Sequence, residues 1–295
     1  MSFFGAPNIP ATVQSPEQGK DEDKPLIIVD ASQPSLGIDV QEWFRCKDIF
    51  YFLVWRDILV RYKQTLLGAA WAVLRPLITM LVFTIFLGYV VKFPSDGIPY
   101  PLFYYSGLVI WGYFSTAVIM SSESLVGYSH LLTKVYLPRL FIPAAPIVST
   151  LLDLFISFGL LVVMSIYYGY GPSLRLLVLP VVFSIAIMSA LGTSLLVSPL
   201  VVKYRDFQNI ISITIQVWMF ASPVIYPYSL VPDRWKFLYG LNPLVGAIEG
   251  LRWALCGNST NLLNILPGGI IIALAAMLVG LIHFRKTEEY FADFV

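Results

Sequence analysis

Ionisable side chains are rare within the long apolar stretches of this 295-residue chain. Arg75 lies about nine residues into the first stretch and Asp153 about thirteen into the third, which at 1.5 Å per helical residue gives both a comparable depth. An Arg75–Asp153 ion pair is therefore one expectation. Proton- or sodium-coupled carriers usually hold more titratable groups than this inside the membrane.

A polar stripe surrounds Asp153. Ser149, Asp153 and Ser157 follow one another at a spacing of four residues, so they share one face of a helix. This face contacts either a packed neighbouring helix or a water-filled channel. We favour packing or pairing, because a proton relay would need further titratable neighbours.

The sequence contains no glycine-rich loop followed by lysine and a hydroxyl residue, the arrangement that holds ATP phosphates and Mg²⁺. We therefore expect no catalysis by the chain itself, and we assign ATP and Mg²⁺ to a separate ATPase polypeptide. The histidines and cysteines also lack metal-ligand spacing, so no cofactor or metal is expected. These residues are His130, His283, Cys46 and Cys256.

The composition is that of a membrane protein. The chain is 57% hydrophobic and only 13% charged, with a mean hydropathy of +0.75. Soluble domains are about 45–50% apolar and about 25% charged. A soluble enzyme is therefore excluded, and a net charge of +1 gives no basic surface for nucleic acid.

Six apolar stretches approach or exceed the length needed to cross a bilayer, about 20 residues. With both termini inside, thirteen of the 19 Lys and Arg fall in cytoplasmic segments and five in outer ones. This bias predicts that both termini are cytoplasmic. The predicted spans are 66–91, 102–120, 140–168, 174–202, 210–226 and 262–284.

The remaining segments flank the spans. Residues 1–36 are rich in Pro, Ser, Gln and acidic residues and are predicted to be a disordered cytoplasmic tail, followed by a membrane domain over 37–295. Residues 40–63 are predicted to form an interfacial amphipathic helix, with cations along the border of an aromatic face. That face contains Phe44, Tyr51, Trp55, Ile58, Leu59 and Tyr62.

Two connections carry helical patterns of their own. Residues 123–139 are amphipathic and form either a plain connector or a docking element for a cytoplasmic partner. The outer segment 227–261 contains two short helices, the first between Pro232 and Gly240. The second has Asn242 as N-cap, Pro243 at its first position and Gly257 past its end. We expect a re-entrant pair that covers an exit.

Aromatic residues make up 15% of the chain. Those inside the spans with polar neighbours suit an aromatic wall for sugar rings, although helix packing uses aromatic residues as well. The candidates for a substrate path are Trp71, Tyr104, Tyr105, Trp111, Tyr113, Phe114, Trp218 and Phe220.

The order of these segments resembles the transmembrane subunit of the ABC-2 type polysaccharide exporters, which serve O-antigen, capsular polysaccharide and teichoic acid. The resemblance covers about residues 40–290. It lies in LLGAAWAVLRPLITMLVFTIF (66–86), HLLTKVYLPRLFIPA (130–144), KYRD (203–206), SPVIYP (222–227) and NPLVGAIEGLRWALCG (242–257).

The resemblance implies an all-α membrane protein that forms a homodimer with two copies of a separate ABC ATPase in a bacterial inner membrane. It implies export of a polysaccharide on a polyprenyl diphosphate lipid, along a path lined by the first and fifth spans. Arg75 would then attract the lipid diphosphate at the entrance, as an alternative to pairing with Asp153. The implied ATPase-coupling residues lie in 123–139 and are Glu123, Tyr128, His130, Lys134, Tyr136 and Arg139. The implied outer-gate residues are Trp235, Asn242, Pro243, Glu249 and Arg252.

Three other functions remain open. An ABC-2 type drug or lipid exporter differs only in its cargo. An ion-coupled secondary transporter would need deep paired carboxylates and inverted repeats. A membrane-embedded sugar transferase would need convergent acid and base residues, which the short loops do not supply.

Overall fold

The structure is a computed structural model that describes residues 44, 46–63, 68, 70–128, 137–204, 206–257 and 262–288. The tail predicted for residues 1–36 lies outside the described residues. So do His130, Lys134 and Tyr136 of the predicted coupling segment.

Regular structure in the described part of the chain is helical. Two short 3-10 turns, Leu174–Val178 and Tyr228–Leu230, accompany the α-helices, and α2 continues as a π-helical segment over Thr84–Val90. The helices are α1 (Lys47–Tyr62), α2 (Ala70–Phe83), α3 (Tyr100–Gly127), α4 (Phe141–Ser149), α5 (Leu151–Tyr167), α6 (Leu179–Lys203), α7 (Phe207–Phe220), α8 (Asp233–Gly240), α9 (Pro243–Cys256) and α10 (Leu262–Glu288).

Five stretches among the described residues are long and apolar enough to cross a membrane. They are Ala70–Val90, Tyr100–Gly127, Phe141–Tyr167, Leu174–Lys203 and Ile265–Glu288, and they coincide with the predicted spans one to four and six. The chain is thus a multi-pass membrane protein.

The predicted fifth span, 210–226, is shorter in the structure. Helix α7 is apolar but has 14 residues and ends at Phe220. A turn over residues 221–226 follows, because Pro223 lacks an amide hydrogen and disfavours helical geometry at Ser222.

Two other helices differ from their predicted bounds. Helix α3 continues to Gly127, so its last turn takes up the first residues of the segment predicted as a separate helix over 123–139. The third span is divided at Thr150 into α4 and α5. Pro146 lies in the turn before this division and removes one helical hydrogen bond.

Helix α3 forms the centre of the protein and is buried along most of its length. Helix α6 packs beside it, and α10 packs on α6 at very short range. A Cβ atom added to Gly192 would lie 2.5 Å from the carbonyl carbon of Ala276, and one added to Gly280 would lie 2.5 Å from the Gly192 oxygen. Small residues therefore allow these two backbones to touch, as membrane helices often do.

The capping prediction for α9 is confirmed. The Asn242 side chain accepts a hydrogen bond from the Leu244 amide at 3.1 Å, Pro243 is the first helical residue, and Gly257 ends the helix in the left-handed region at φ +67°. Helix α8 runs from the residue after Pro232 to Gly240, as its pattern predicts. The re-entrant placement of the pair stays a prediction.

Helix α1 packs on α4, where the rings of Phe50 and Phe141 lie 5.0 Å apart. Its other side is exposed in the described part of the chain and rich in aromatic residues: Tyr51 is 67% exposed and Trp55 48%. This exposed side includes most of the predicted interfacial face, while Ile58 and Tyr62 are half-buried.

Candidate functional site

A cleft of about 580 Å³ opens between α1, α2, α3 and α5. The end of α1 and the first half of α2 form one wall, and the middle of α3 forms the floor. Its charged lining residues are Arg61, Arg75 and Asp153, and its aromatic ones include Trp71, Trp111 and Tyr113.

Asp153 pairs with Arg61 from α1, which corrects the expected Arg75–Asp153 pair. Equal depth does not fix which way two helices face, and the docking of α1 brings Arg61 onto α5. Arg61 also donates to the Ser149 hydroxyl at 3.3 Å. Arg75 is exposed and has no ion pair within the described part of the chain.

The polar stripe, which begins at the last residue of α4 and continues on α5, serves packing and pairing. Ser149 and Asp153 hold Arg61, and the Ser157 hydroxyl donates to the Ala72 carbonyl of α2 at 2.9 Å. Asp153 and Ser157 also border the cleft. The stripe therefore joins α5 to both helices that form the opposite wall.

Three of the proposed path-lining aromatics are fully buried in the core of the single chain and do not line the cleft. Tyr104, Tyr105 and Phe114 are each 0% exposed. The Tyr105 hydroxyl donates to the Ser157 carbonyl at 3.3 Å, and the Phe114 ring packs edge-on against Trp218 at 5.3 Å. These rings pack between helices because α3 is surrounded by its neighbours on nearly every side.

The other candidate aromatics divide between the cleft and the surface. Trp111 and Tyr113 are nearly buried but border the cleft, and Trp71 borders it with 47% of its surface exposed. Trp218 is half-buried and Phe220 is exposed, and neither lines the cleft.

A second polar cluster joins α1 to the end of α3. The Tyr128 hydroxyl donates to the buried Asp57 carboxylate, and the Arg56 guanidinium lies 3.9 Å from the centre of the Tyr128 ring. Burial raises the pKa of the Asp57 carboxyl above its usual value. The Tyr128 hydrogen bond and the positive charge of Arg56 offset only part of this rise. Tyr128, predicted as an ATPase contact, thus packs against α1 in this structure.

Two more of the predicted coupling residues are described. Glu123 is half-buried within α3. Arg139 is half-buried and donates to the Glu288 carbonyl at the end of α10. This hydrogen bond joins the segment before α4 to the end of α10.

The sequence interpretation did not identify Asp57 and Arg61 as site residues. The available signal was their spacing: they lie four residues apart, on the side of α1 that also carries the buried Leu53. Two opposite charges on that side indicate contact with other polar groups of the protein.

On the other side of the molecule, Arg252 of α9 is fully buried and pairs with Glu249 at 2.9 Å. It also donates to the carbonyls of Phe103 at 3.1 Å and Val224 at 3.4 Å, and to the Ser106 hydroxyl at 3.3 Å. One guanidinium therefore ties together α9, the start of α3 and the turn after α7.

The other proposed gate residues differ in burial. The Asn242 amide donates to the Ala221 carbonyl at 3.1 Å and to the Ser222 hydroxyl at 2.8 Å. Pro243 is buried at the start of α9. Trp235 is 51% exposed on α8, a helix with no buried residue. Helix α9 is thus embedded in the core, whereas α8 lies on its surface.

Comparison with known proteins agrees with this architecture. Residues 49–256 match the family model described as ABC-2 type transporter. The chain is 32% identical to the O-antigen export system permease protein RfbA of Myxococcus xanthus, over 72% of this chain and 82% of that protein.

Other relatives align over more of the chain. The chain is 26% identical to the RfbA permease of Klebsiella pneumoniae, over 83% of this chain and 94% of that protein. It is 25% identical to the polysialic acid transport protein KpsM of Escherichia coli, over 79% of this chain and 91% of that protein. The helical architecture, the family match and these relatives together show that the chain belongs to the ABC-2 type transporter family.

Proposed function

We propose that this chain is the membrane subunit of an ATP-driven exporter that moves a polysaccharide, carried on a polyprenyl diphosphate, out of the bacterial cytoplasm across the inner membrane. The observation that carries the proposal is the 32% identity to an O-antigen export permease over most of both chains. The similarity to the RfbA permease of Klebsiella pneumoniae and to the polysialic acid transport protein KpsM of Escherichia coli supports the same class of cargo.

The cleft supports a cargo that is both anionic and saccharide. Arg75 is exposed in the cleft and carries a charge that no acidic side chain of the described residues neutralises. Trp71, beside it, offers an exposed indole. A guanidinium binds a phosphate through two parallel hydrogen bonds, and an indole ring stacks against the apolar face of a sugar. We assign the lipid diphosphate to Arg75 and the adjoining sugar to Trp71.

The energy source in this proposal is a separate ATPase, bound as two copies to a homodimer of this chain. The sequence has no phosphate-binding loop of its own. The excess of Lys and Arg in the segments assigned to the inside supports cytoplasmic termini and a cytoplasmic position for the 123–139 segment, where the ATPase would dock. At the outer side, α8 and α9 would form the exit gate.

The proposal is tested by deleting the gene in the bacterium that carries it and measuring surface polysaccharide by immunoblot. We expect surface polysaccharide to disappear and its lipid-linked form to accumulate at the cytoplasmic face of the inner membrane. The intact gene should restore export only when the ATPase keeps the lysine of its phosphate-binding loop. Export that continues with an inactive ATPase, or a deletion that leaves surface polysaccharide unchanged, would contradict the proposal.

Arg75 gives a sharper test of the cleft. We expect Arg75→Gln to reduce export about tenfold, because a charge-assisted hydrogen bond to phosphate contributes about 1.5–3 kcal/mol. Arg75→Lys should retain part of the activity, since it keeps the charge but loses the planar geometry. Lys286→Gln, which removes a positive charge at an exposed position on α10, is the matched control. Full export by Arg75→Gln would refute the assignment.

A further inference from the structure

Several helical glycines of this protein lie where two segments touch. A Cβ atom added to Gly192 or Gly280 would lie 2.5 Å from a backbone atom of the facing helix, and one added to Gly250 would lie 2.7 Å from the Val182 side chain. Such close approach is a common reason for glycine in a membrane helix. It compensates for the conformational entropy that a helical glycine loses on folding.

Gly112, near the middle of α3, has a different environment. Within the described part of the chain, no atom lies within 4 Å of the position that its Cβ would take. The residues on both sides of it, Trp111 and Tyr113, are only 6% and 3% exposed, whereas Gly112 is half-buried. Helix α3 is therefore uncovered at this residue, although its neighbours in the chain are closely surrounded.

The free space beside Gly112 belongs to the cleft. Gly112 lines the floor of this cleft together with Ser115 and Thr116 from the next turn of α3. Residues three and four positions apart share one face of a helix, so these three residues form one continuous part of the floor. The cleft volume of about 580 Å³ lies within the range of about 300–1,000 Å³ that is typical of ligand pockets.

The hydroxyl groups that border this floor suit a neutral ligand that is rich in hydroxyls. The Ser115 hydroxyl donates to the Gly112 carbonyl at 3.2 Å, and the Thr79 hydroxyl in the α2 wall donates to the Arg75 carbonyl at 3.1 Å. Both side chains line the cleft. A hydroxyl that donates its hydrogen keeps lone pairs with which it can accept a hydrogen bond from a ligand.

Packing does not explain a glycine at this position. Glycine in the interior of a helix is less stable than alanine, and none of the described residues would collide with an alanine methyl group at position 112. A ligand in the cleft does explain it, because a side chain on the floor would fill space that the ligand needs.

We propose that Gly112 is a specificity-determining residue of the cleft, where its missing side chain leaves room for the ring of the sugar that adjoins the lipid diphosphate. The ring lies over the backbone of α3 at Gly112, and Ser115 and Thr79 accept hydrogen bonds from its hydroxyls. This inference rests on the proposed function and adds the part of the cleft that receives the sugar.

The experiment increases the side chain at position 112 stepwise, with Gly112→Ala and Gly112→Leu. Gly159→Leu on α5 is the matched control, because Gly159 also has no atom of the described residues within 4 Å but is exposed and does not line the cleft. The full-length chain is used with its ATPase, both in cells and as a purified complex in lipid nanodiscs. The amount of complex, its melting temperature and the surface polysaccharide per cell are measured.

We expect stability and export to change in opposite directions. Gly112→Ala should leave the melting temperature unchanged or raise it, because alanine is the better helix former, and yet it should lower export. Gly112→Leu should lower export about tenfold or more, since a side chain that overlaps a bound group is penalised like an overpacked core. Gly159→Leu should export normally. A purely structural role of Gly112 would not separate export from stability in this way.

Farnesyl diphosphate, a short lipid diphosphate without a sugar, shows which part of the cargo is affected. Its binding to the purified complex is measured by titration. Gly112→Leu should bind it as the wild type does, because the diphosphate is assigned to Arg75 and the probe has no ring to place on the floor. Arg75→Gln should bind it about tenfold more weakly, since the charge-assisted hydrogen bonds are lost.

Three results would overturn the inference: normal export by Gly112→Leu, export that falls only in proportion to the amount of complex, or a loss of farnesyl diphosphate binding in Gly112→Leu as large as in Arg75→Gln. Each can occur while the wild-type chain still exports with its ATPase, so the proposed function would survive. If the wild-type gene does not restore export to the deletion strain, the proposed function fails, and this inference fails with it.

Discussion

The buried Arg252–Glu249 pair allows a quantitative test of how α9 is held against α3 and the turn after α7. Both side chains are about 1% exposed, and the guanidinium also binds the carbonyls of Phe103 and Val224. Arg252→Met removes every one of these bonds and leaves the Glu249 carboxylate buried without its cation. Breaking a buried pair in this way costs about 3–5 kcal/mol of unfolding free energy.

Glu249→Gln should cost a similar amount, because it leaves the guanidinium without its counter-charge. The double variant contains no uncompensated charge, so its loss should fall short of the sum of the two single losses by about 0.5–3 kcal/mol. Unfolding of the purified protein in mixed micelles measures the unfolding free energies of the two single variants and of the double variant. Arg234→Met, at an exposed position, should change stability by less than about 0.5 kcal/mol. Additive losses would refute the claim that the two charges depend on each other.

Two further changes test the packing of the spans and the cap of α9. Gly192→Ala should destabilise the protein by about 1–3 kcal/mol, because its Cβ would overlap the backbone of α10, while Gly159→Ala meets no atom within 4 Å and should not destabilise. Equal unfolding free energies for these two variants would contradict the close approach of the α6 and α10 backbones. Asn242→Ala should cost about 0.5–2 kcal/mol through loss of the cap, measured against Asn209→Ala at an exposed position. Equal melting midpoints for Asn242→Ala and Asn209→Ala would show that the cap contributes no stability.

Local chemistry made helices α8 and α9 predictable from sequence. The ends of α9 follow from Asn242, Pro243 and Gly257, each of which acts on the backbone within a few residues of itself. The long spans were predictable for a similar reason, since length and apolarity are properties of a single segment. The end of α7 was misjudged because the apolar pattern continues past Phe220 although the helix does not.

Contacts between segments were less predictable. Tyr104 and Trp71 are both aromatic residues within apolar stretches, yet one is fully buried and the other half exposed. Nothing in their local sequence states which neighbours surround each helix. The partner of Asp153 was misassigned for the same reason, because Arg61 reaches it only through the docking of α1 on α4.

The short α7 has a consequence for how the backbone is solvated. Fourteen residues at about 1.5 Å each extend about 21 Å, less than the roughly 30 Å of hydrocarbon in a bilayer. A membrane span of this length would end within the hydrocarbon layer, where no water hydrates the carbonyls of the turn that follows. Arg252 donates to the Val224 carbonyl in that turn, and Asn242 donates to the Ala221 carbonyl. These side chains therefore satisfy carbonyls that would otherwise need water. Side chains of the protein thus supply hydrogen-bond donors to the backbone of this turn.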